Sequence, residues 1–214
     1  MKRLLSGLCV MLGLILLVGC QAVTSTAMIG DKSEKVAQAV QGVWKFNDAV
    51  FYAKATGNGR VDLSTVQWKD DKWQLQTFTL YATTLGDHAY LNVQPVENNA
   101  SQSTAKPSDK EAKDAPVPTY AILQLLYDVD SGARTADSLV VLMPRQQAFE
   151  SAVTQGKLPG KVDGKSEGKP APHVHLTASA QVLNAFVQAA GQKLFDDAHP
   201  QVLTRLATLS QYDD

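Results

Sequence analysis

The chain has 214 residues, a formal net charge of −1 at pH 7, 44% apolar side chains and 19% charged ones. That length suits one ordinary domain with its loops, and so even a charge balance lacks the basic face of a nucleic-acid binder. Both cysteines, Cys9 and Cys20, lie in the first twenty residues. The remainder therefore has no disulfide and no thiol nucleophile, and an apolar core must stabilise it.

Lys2 and Arg3 form a short positive start. Leu4 to Val18 is almost wholly apolar, with Ser6 as its polar member. A membrane-spanning helix needs about 20 apolar residues, and this shorter run has the length of a signal-peptide core. It ends in Leu17-Val18-Gly19-Cys20, which resembles the lipobox of bacterial lipoproteins: an aliphatic residue, a small or medium residue, a small residue, then cysteine. The resemblance implies a leader over residues 1–19, cut between Gly19 and Cys20. It also implies a diacylglycerol thioether on Cys20 and an acyl chain on its freed amino group. Each buried methylene contributes about 0.8 kcal/mol, so two or three chains hold firmly where one holds marginally. Gln21 follows the cysteine where an aspartate would favour inner-membrane retention, which resembles the outer-membrane sorting pattern. The expected partner is the membrane through lipid on Cys20, on the periplasmic face of the outer membrane, with an envelope protein or the cell wall as a further partner and no nucleic acid.

Residues 20–30 are small and polar and read as a tether, which leaves 31–214 as a single β-rich domain. Asp31 or Ser33 can cap a helix over 34–41, where Val36 and Val40 share a face and Gly42 supplies the stop. From Val43 the pattern changes to strand. Trp44 and Phe46 alternate with polar residues, Val50-Phe51-Tyr52 follows, and Gly57-Asn58-Gly59 reads as a hairpin turn. Lys69 to Lys72 and Gly86-Asp87 supply the next two turns. Trp73 and Leu75 fall on one strand parity and Phe78 and Leu80 on the other, so a bulge near Gln76 or Thr77 is expected. Residues 97–118, rich in Ser, Lys, Asp and Pro, read as a loop inserted in the sheet.

Tyr120 to Val129 and Leu139 to Met143 read as apolar strands, and Gln146 to Gln155 as a short helix. Residues 156–172 carry Gly-Lys pairs every four positions and read as a flexible linker, because glycine in each turn opposes a helix. His173 to Leu176 is a short strand. Thr177 or Ser179 then caps an amphipathic helix to about Phe195, with Leu183, Phe186, Val187 and Leu194 on its apolar face. A last helix is expected after Pro200, with Leu203, Leu206 and Leu209 on one side.

The fold expected from this order is α+β and mainly β. An antiparallel meander forms a strongly curved sheet or a lipocalin-like barrel, closed by the C-terminal amphipathic helix. Gly42-Val43-Trp44 at the first long strand resembles the Gly-x-Trp signature of lipocalins, some of which are outer-membrane lipoproteins. The layout also resembles uncharacterised proteobacterial envelope lipoproteins, which implies no activity.

Site candidates are few. Trp44, Tyr52, Trp73 and Tyr81, with Trp68, could line a cavity for an apolar ligand or fill the core. His173 and His175 project from one strand face and could share a metal if a third ligand joined them. Asp128 and Asp130 read as strand-end turn formers. No nucleophile elbow, phosphate loop or dinucleotide fingerprint is present, so no catalytic residue and no cofactor is assigned. Three functions remain: a non-catalytic binding or interaction module, a lipocalin-like carrier of a small apolar ligand, and a metal-assisted enzyme of the envelope.

Overall fold

Tight turns set the register of the sheet. In the computed structural model, which describes residues 23–69, 72–95, 118–126, 137–163 and 173–207, Asn58 (φ 55°) and Gly59 (φ 70°) take the left-handed conformation between β4 (Ala49–Gly57) and β5 (Arg60–Lys69). A two-residue loop with both residues at positive φ matches the twist of its flanking strands. Asn47 and Gly86 occupy the first loop position of the hairpins joining β3 (Gly42–Phe46) to β4 and β6 (Lys72–Leu85) to β7 (His88–Pro95).

These hairpins run on through β8 (Tyr120–Leu126) and β9 (Ser138–Leu142) to β12 (Gln201–Ala207), each strand antiparallel to the last. β12 also pairs with β3, so the eight strands close on themselves as a lipocalin-like up-and-down barrel. Closure removes the unpaired edges that an open sheet would expose.

Two apolar cores result. The barrel interior holds Trp44, Phe51, Leu80, Leu91 and Leu123. It is plugged at one end by α1 (Glu34–Val40), whose Val36, Ala37 and Val40 are buried. Ser33 caps this helix through its hydroxyl, which accepts from Val36 N. The second core lies outside the wall, against Tyr90, Ile122 and Leu142. It is covered by β1 (Val23–Ser25), β11 (His173–Leu176), α2 (Gln146–Thr154) and α3 (Ala180–Ala190). β1 joins the Tyr120 end of β8, where β9 has already left it, and β11 and β10 (Gly160–Asp163) extend the sheet from there.

Five expectations are corrected. The tether does not extend to residue 30: Val23 and Ile29 are buried, and the chain is strapped to the outer wall. Asn92 accepts from Ile29 N at 2.8 Å and donates to Ile29 O at 3.2 Å, and Thr83 Oγ1 also donates to Ile29 O at 2.5 Å. Gly30 is required there, because φ is 74° and a Cβ would collide with the Thr84 carbonyl. β2 (Asp31–Lys32) then pairs with β6. No bulge interrupts β5–β6 pairing, so Trp73 and Leu75 face outward while Phe78 and Leu80 face inward.

Within 156–172, the part 156–163 is ordered: Leu158 is buried and β10 pairs with β11. The amphipathic helix ends at Ala190, where Gly191 turns to φ 61° and a 3-10 turn (Gly191–Leu194) follows. It packs beside the barrel, and α1 is the helix that closes an end. Residues 201–207 are a strand and not a helix, because the edges of β3 and β9 stand ready to pair with them. The turn at Asp130, Asp128 itself, most of 97–118 and the leader with Gly19 and Cys20 lie outside the described residues. Among the described residues no helix is long and apolar enough to cross a membrane.

Candidate functional site: the barrel cavity

Strand alternation puts every second side chain inside the barrel. Trp44 on β3, Phe51 and Ala53 on β4, Leu80 on β6, Leu91 on β7 and Leu123 on β8 converge there. Small inward residues such as Ala53, Ala82, Ala89 and Ala121 fill less than the available space. They leave room for both α1 and a cavity of about 280 Å³. Phe46, Phe78, Val93, Met143, Gln201 and Leu203 form its wall toward the end opposite α1. That end is the mouth: β3, β5, β7 and β9 finish there, and β4, β6, β8 and β12 start there.

The closed end is held by a polar latch. Trp44 Nε1 donates to Val40 O at 2.7 Å. Arg205 stacks over the Trp44 ring at 4.2 Å and donates to Ala39 O at 3.1 Å and Gln41 O at 2.9 Å. These are the carbonyls that a helix C-terminus leaves unpaired. Partial burial pulls the Arg205 guanidinium below its usual pKa, against the opposing influence of Asp137. Glu34 at the helix start accepts from Gln38 Nε2 and Gly59 N, and these bonds hold its carboxyl below the ordinary value.

Polar side chains on the mouth-side interior parity include Thr65, Gln74, Gln76 and Gln201. Thr65 is buried and donates to Val50 O at 2.9 Å. Gln76 is its cross-strand neighbour on β6, on the same parity as Phe78. Gln76 Oε1 is buried with no hydrogen-bond partner among the described residues. Gln201 on β12 donates its Nε2 to His199 O. Among the described residues, no Asp, Glu, Lys, Arg or His belongs to the cavity wall.

The aromatics expected at a cavity separate. Trp44 lines it. Tyr52, 43% exposed, and Trp73, 69% exposed, lie on the outer face of the barrel. Tyr81 is also outside, edge-on to Tyr120 at 6.0 Å and beneath Lys32 Nζ at 4.9 Å. Both parities of β4 and of β6 carry large apolar residues, so their alternation does not reveal which one faces inward. The wall residues that sequence reasoning missed are mostly aliphatic, and a filled core would use the same ones. The signal present in the sequence is the set of alanines on the inward parity.

The two histidines do share β11. His173 lies opposite Asp163, and His175 Nδ1 is 3.0 Å from Thr24 Oγ1. Among the described residues no group of three His, Cys, Asp or Glu could hold a metal ion. The pair Asp196–His199, at 3.0 Å, is exposed, and its hydrogen bond to His199 is the chief reason the Asp196 carboxyl sits below its ordinary pKa. No family model, curated protein or solved structure matches this chain.

Proposed function

We propose that this protein is a lipid-anchored, non-catalytic binding protein that carries a small apolar ligand inside its barrel. The cavity supports the reading most directly. It measures about 280 Å³ and its wall is apolar apart from Gln201. An apolar void of about 150 Å³ stays dry and takes up benzene, and dedicated ligand pockets begin near 300 Å³. A single ring system or a short acyl chain suits this space. Burial of such a ligand gains about 25 cal/mol per Å² of apolar surface removed from water.

The lipobox supports anchorage through Cys20 and, with Gln21 next, location on the outer membrane. Gln21 and Ala22 alone separate Cys20 from β1. Three residue steps span at most about 10 Å, so the barrel would ride directly on its membrane. Substituting Cys20→Ser should leave an unprocessed precursor without acyl chains, read by mass spectrometry. Acylation and normal processing of that variant would contradict the anchor.

The carrier reading is tested by native mass spectrometry of the lipidated protein released from nanodiscs. A bound small apolar molecule is expected in the wild type. Ala53→Phe, which fills the void from the β4 wall, should lose the ligand while keeping the circular dichroism spectrum and at least the wild-type Tm. Equal retention of ligand by both proteins would place it outside the barrel.

A second reading, docking of an envelope protein, is favoured by one observation. Val50, Val66 and Leu75 stand directly opposite one another on the outer face of β4, β5 and β6, and all are exposed. Exposed apolar groupings of this kind commonly mark interaction sites.

A further inference from the structure

We infer that the ligand of the barrel is an uncharged amphiphile: an apolar body in the cavity and a hydrogen-bond donor, such as an alcohol, held at the mouth by Gln76 Oε1. This inference rests on the carrier reading and adds the chemical class of the ligand.

One buried acceptor of the barrel interior is unmet among the described residues. Buried polar atoms in folded proteins almost always have partners, so an exception calls for an explanation. Gln76 Oε1 is such an exception. Its side chain belongs to the inward parity of β6, two residues before Phe78, which lines the cavity. Its nearest cross-strand neighbour cannot serve it, because the Thr65 hydroxyl already donates to Val50 O at 2.9 Å. A group entering the mouth can supply the donor that Thr65 does not.

The rest of the wall restricts that group further. A buried charge needs a partner of opposite sign, and among the described residues the cavity wall contains no ionisable side chain. A carboxylate head would bring only acceptors to the Gln76 oxygen and would meet no counter-charge in that wall. An ammonium head could donate but would lose its hydration without a counter-charge. Gln201 stands across the ring, four strands from β6, and spends one Nε2 hydrogen on His199 O. A neutral O–H or N–H satisfies all of these conditions. The polar end lies at the mouth, and the apolar end points toward Trp44 and α1.

The test uses the lipidated protein in nanodiscs, titrated calorimetrically against empty nanodiscs as blank. The probes share one chain size: 1-octanol, nonane, 1-methoxyheptane, octanoate and octylammonium. 1-Octanol should bind roughly tenfold tighter than nonane or 1-methoxyheptane, the gain of one hydrogen bond to a buried acceptor, and the two ions should bind more weakly than 1-octanol. Gln76→Leu should erase the preference for 1-octanol over nonane and leave nonane binding in place. Equal or tighter binding of 1-methoxyheptane or octanoate, or an unchanged preference in Gln76→Leu, would overturn the head-group assignment and leave the carrier reading standing. Failure of every probe, nonane included, would remove the carrier reading itself.

Discussion

Tyr90 is placed on the outer parity of β7, where its ring meets Phe195 at 5.7 Å inside the second core. Burial raises its phenol from 10.0 to about 12. An acid whose pKa is higher in the folded state stabilises the fold fully below its unfolded pKa, and that stability is lost as pH rises through the folded value. The loss therefore falls between about pH 10 and pH 12 and amounts to roughly 2–3 kcal/mol at most. Melting temperatures measured across this range should drop more steeply for the wild type than for Tyr90→Phe. Parallel curves would show that the phenol is not the titrating group. Tyr90 also illustrates what single residues reveal in a sequence. Its strand was legible from Leu91 and Val93, which alternate inward. Its own burial was not, because an outward tyrosine reads as solvent-facing until α2 and α3 are known to cover that wall. Tyr52 and Trp73 met the opposite fate: both are aromatic, both were expected inside, and both are exposed.

At the scale of elements, local chemistry was read most reliably where one residue dictates a conformation. Asn58-Gly59 made its hairpin, and Ser33 and Ser179 made their caps. Elements decided by distant partners were read less well. Leu203, Leu206 and Leu209 suit a helix by spacing, yet β3 and β9 draw residues 201–207 into the sheet. There Leu203 packs toward the core and Leu206 lies exposed on the outside. The same change of state turns Arg205 inward onto the C-terminus of α1, a contact no helical reading of that segment could suggest. Because this guanidinium donates to two carbonyls and stacks on Trp44, Arg205→Ala should cost about 2–4 kcal/mol. That corresponds to a fall in Tm of roughly 5–15 °C for a chain of this size. Arg205→Lys keeps the charge without the fork and should recover less than half of it. A loss below about 1 kcal/mol in Arg205→Ala, measured by urea unfolding, would mean that α1 is held by its apolar face alone.

For the whole molecule, the meander and its curvature were legible from turn spacing and strand alternation, and they led to a barrel. Its closure was not legible, because the eighth strand is separated from the seventh by α2, β10, β11 and α3. Those elements build the second core, and the helix expected to seal the barrel packs beside the wall instead. The cavity was not legible either. Its existence depends on how inward side chains from strands all round the ring combine in size, Ala53 among them, which no local pattern records. The late position of β12 has a temporal consequence. Thr204 lies opposite Lys45 across roughly 160 residues of chain, and such distant pairings close slowly. Until the last strand docks, β3 and β9 remain open borders and the space between them stays wet. The barrel interior is thus enclosed only once β12 docks, and a molecule lacking that strand would have a wall but no container.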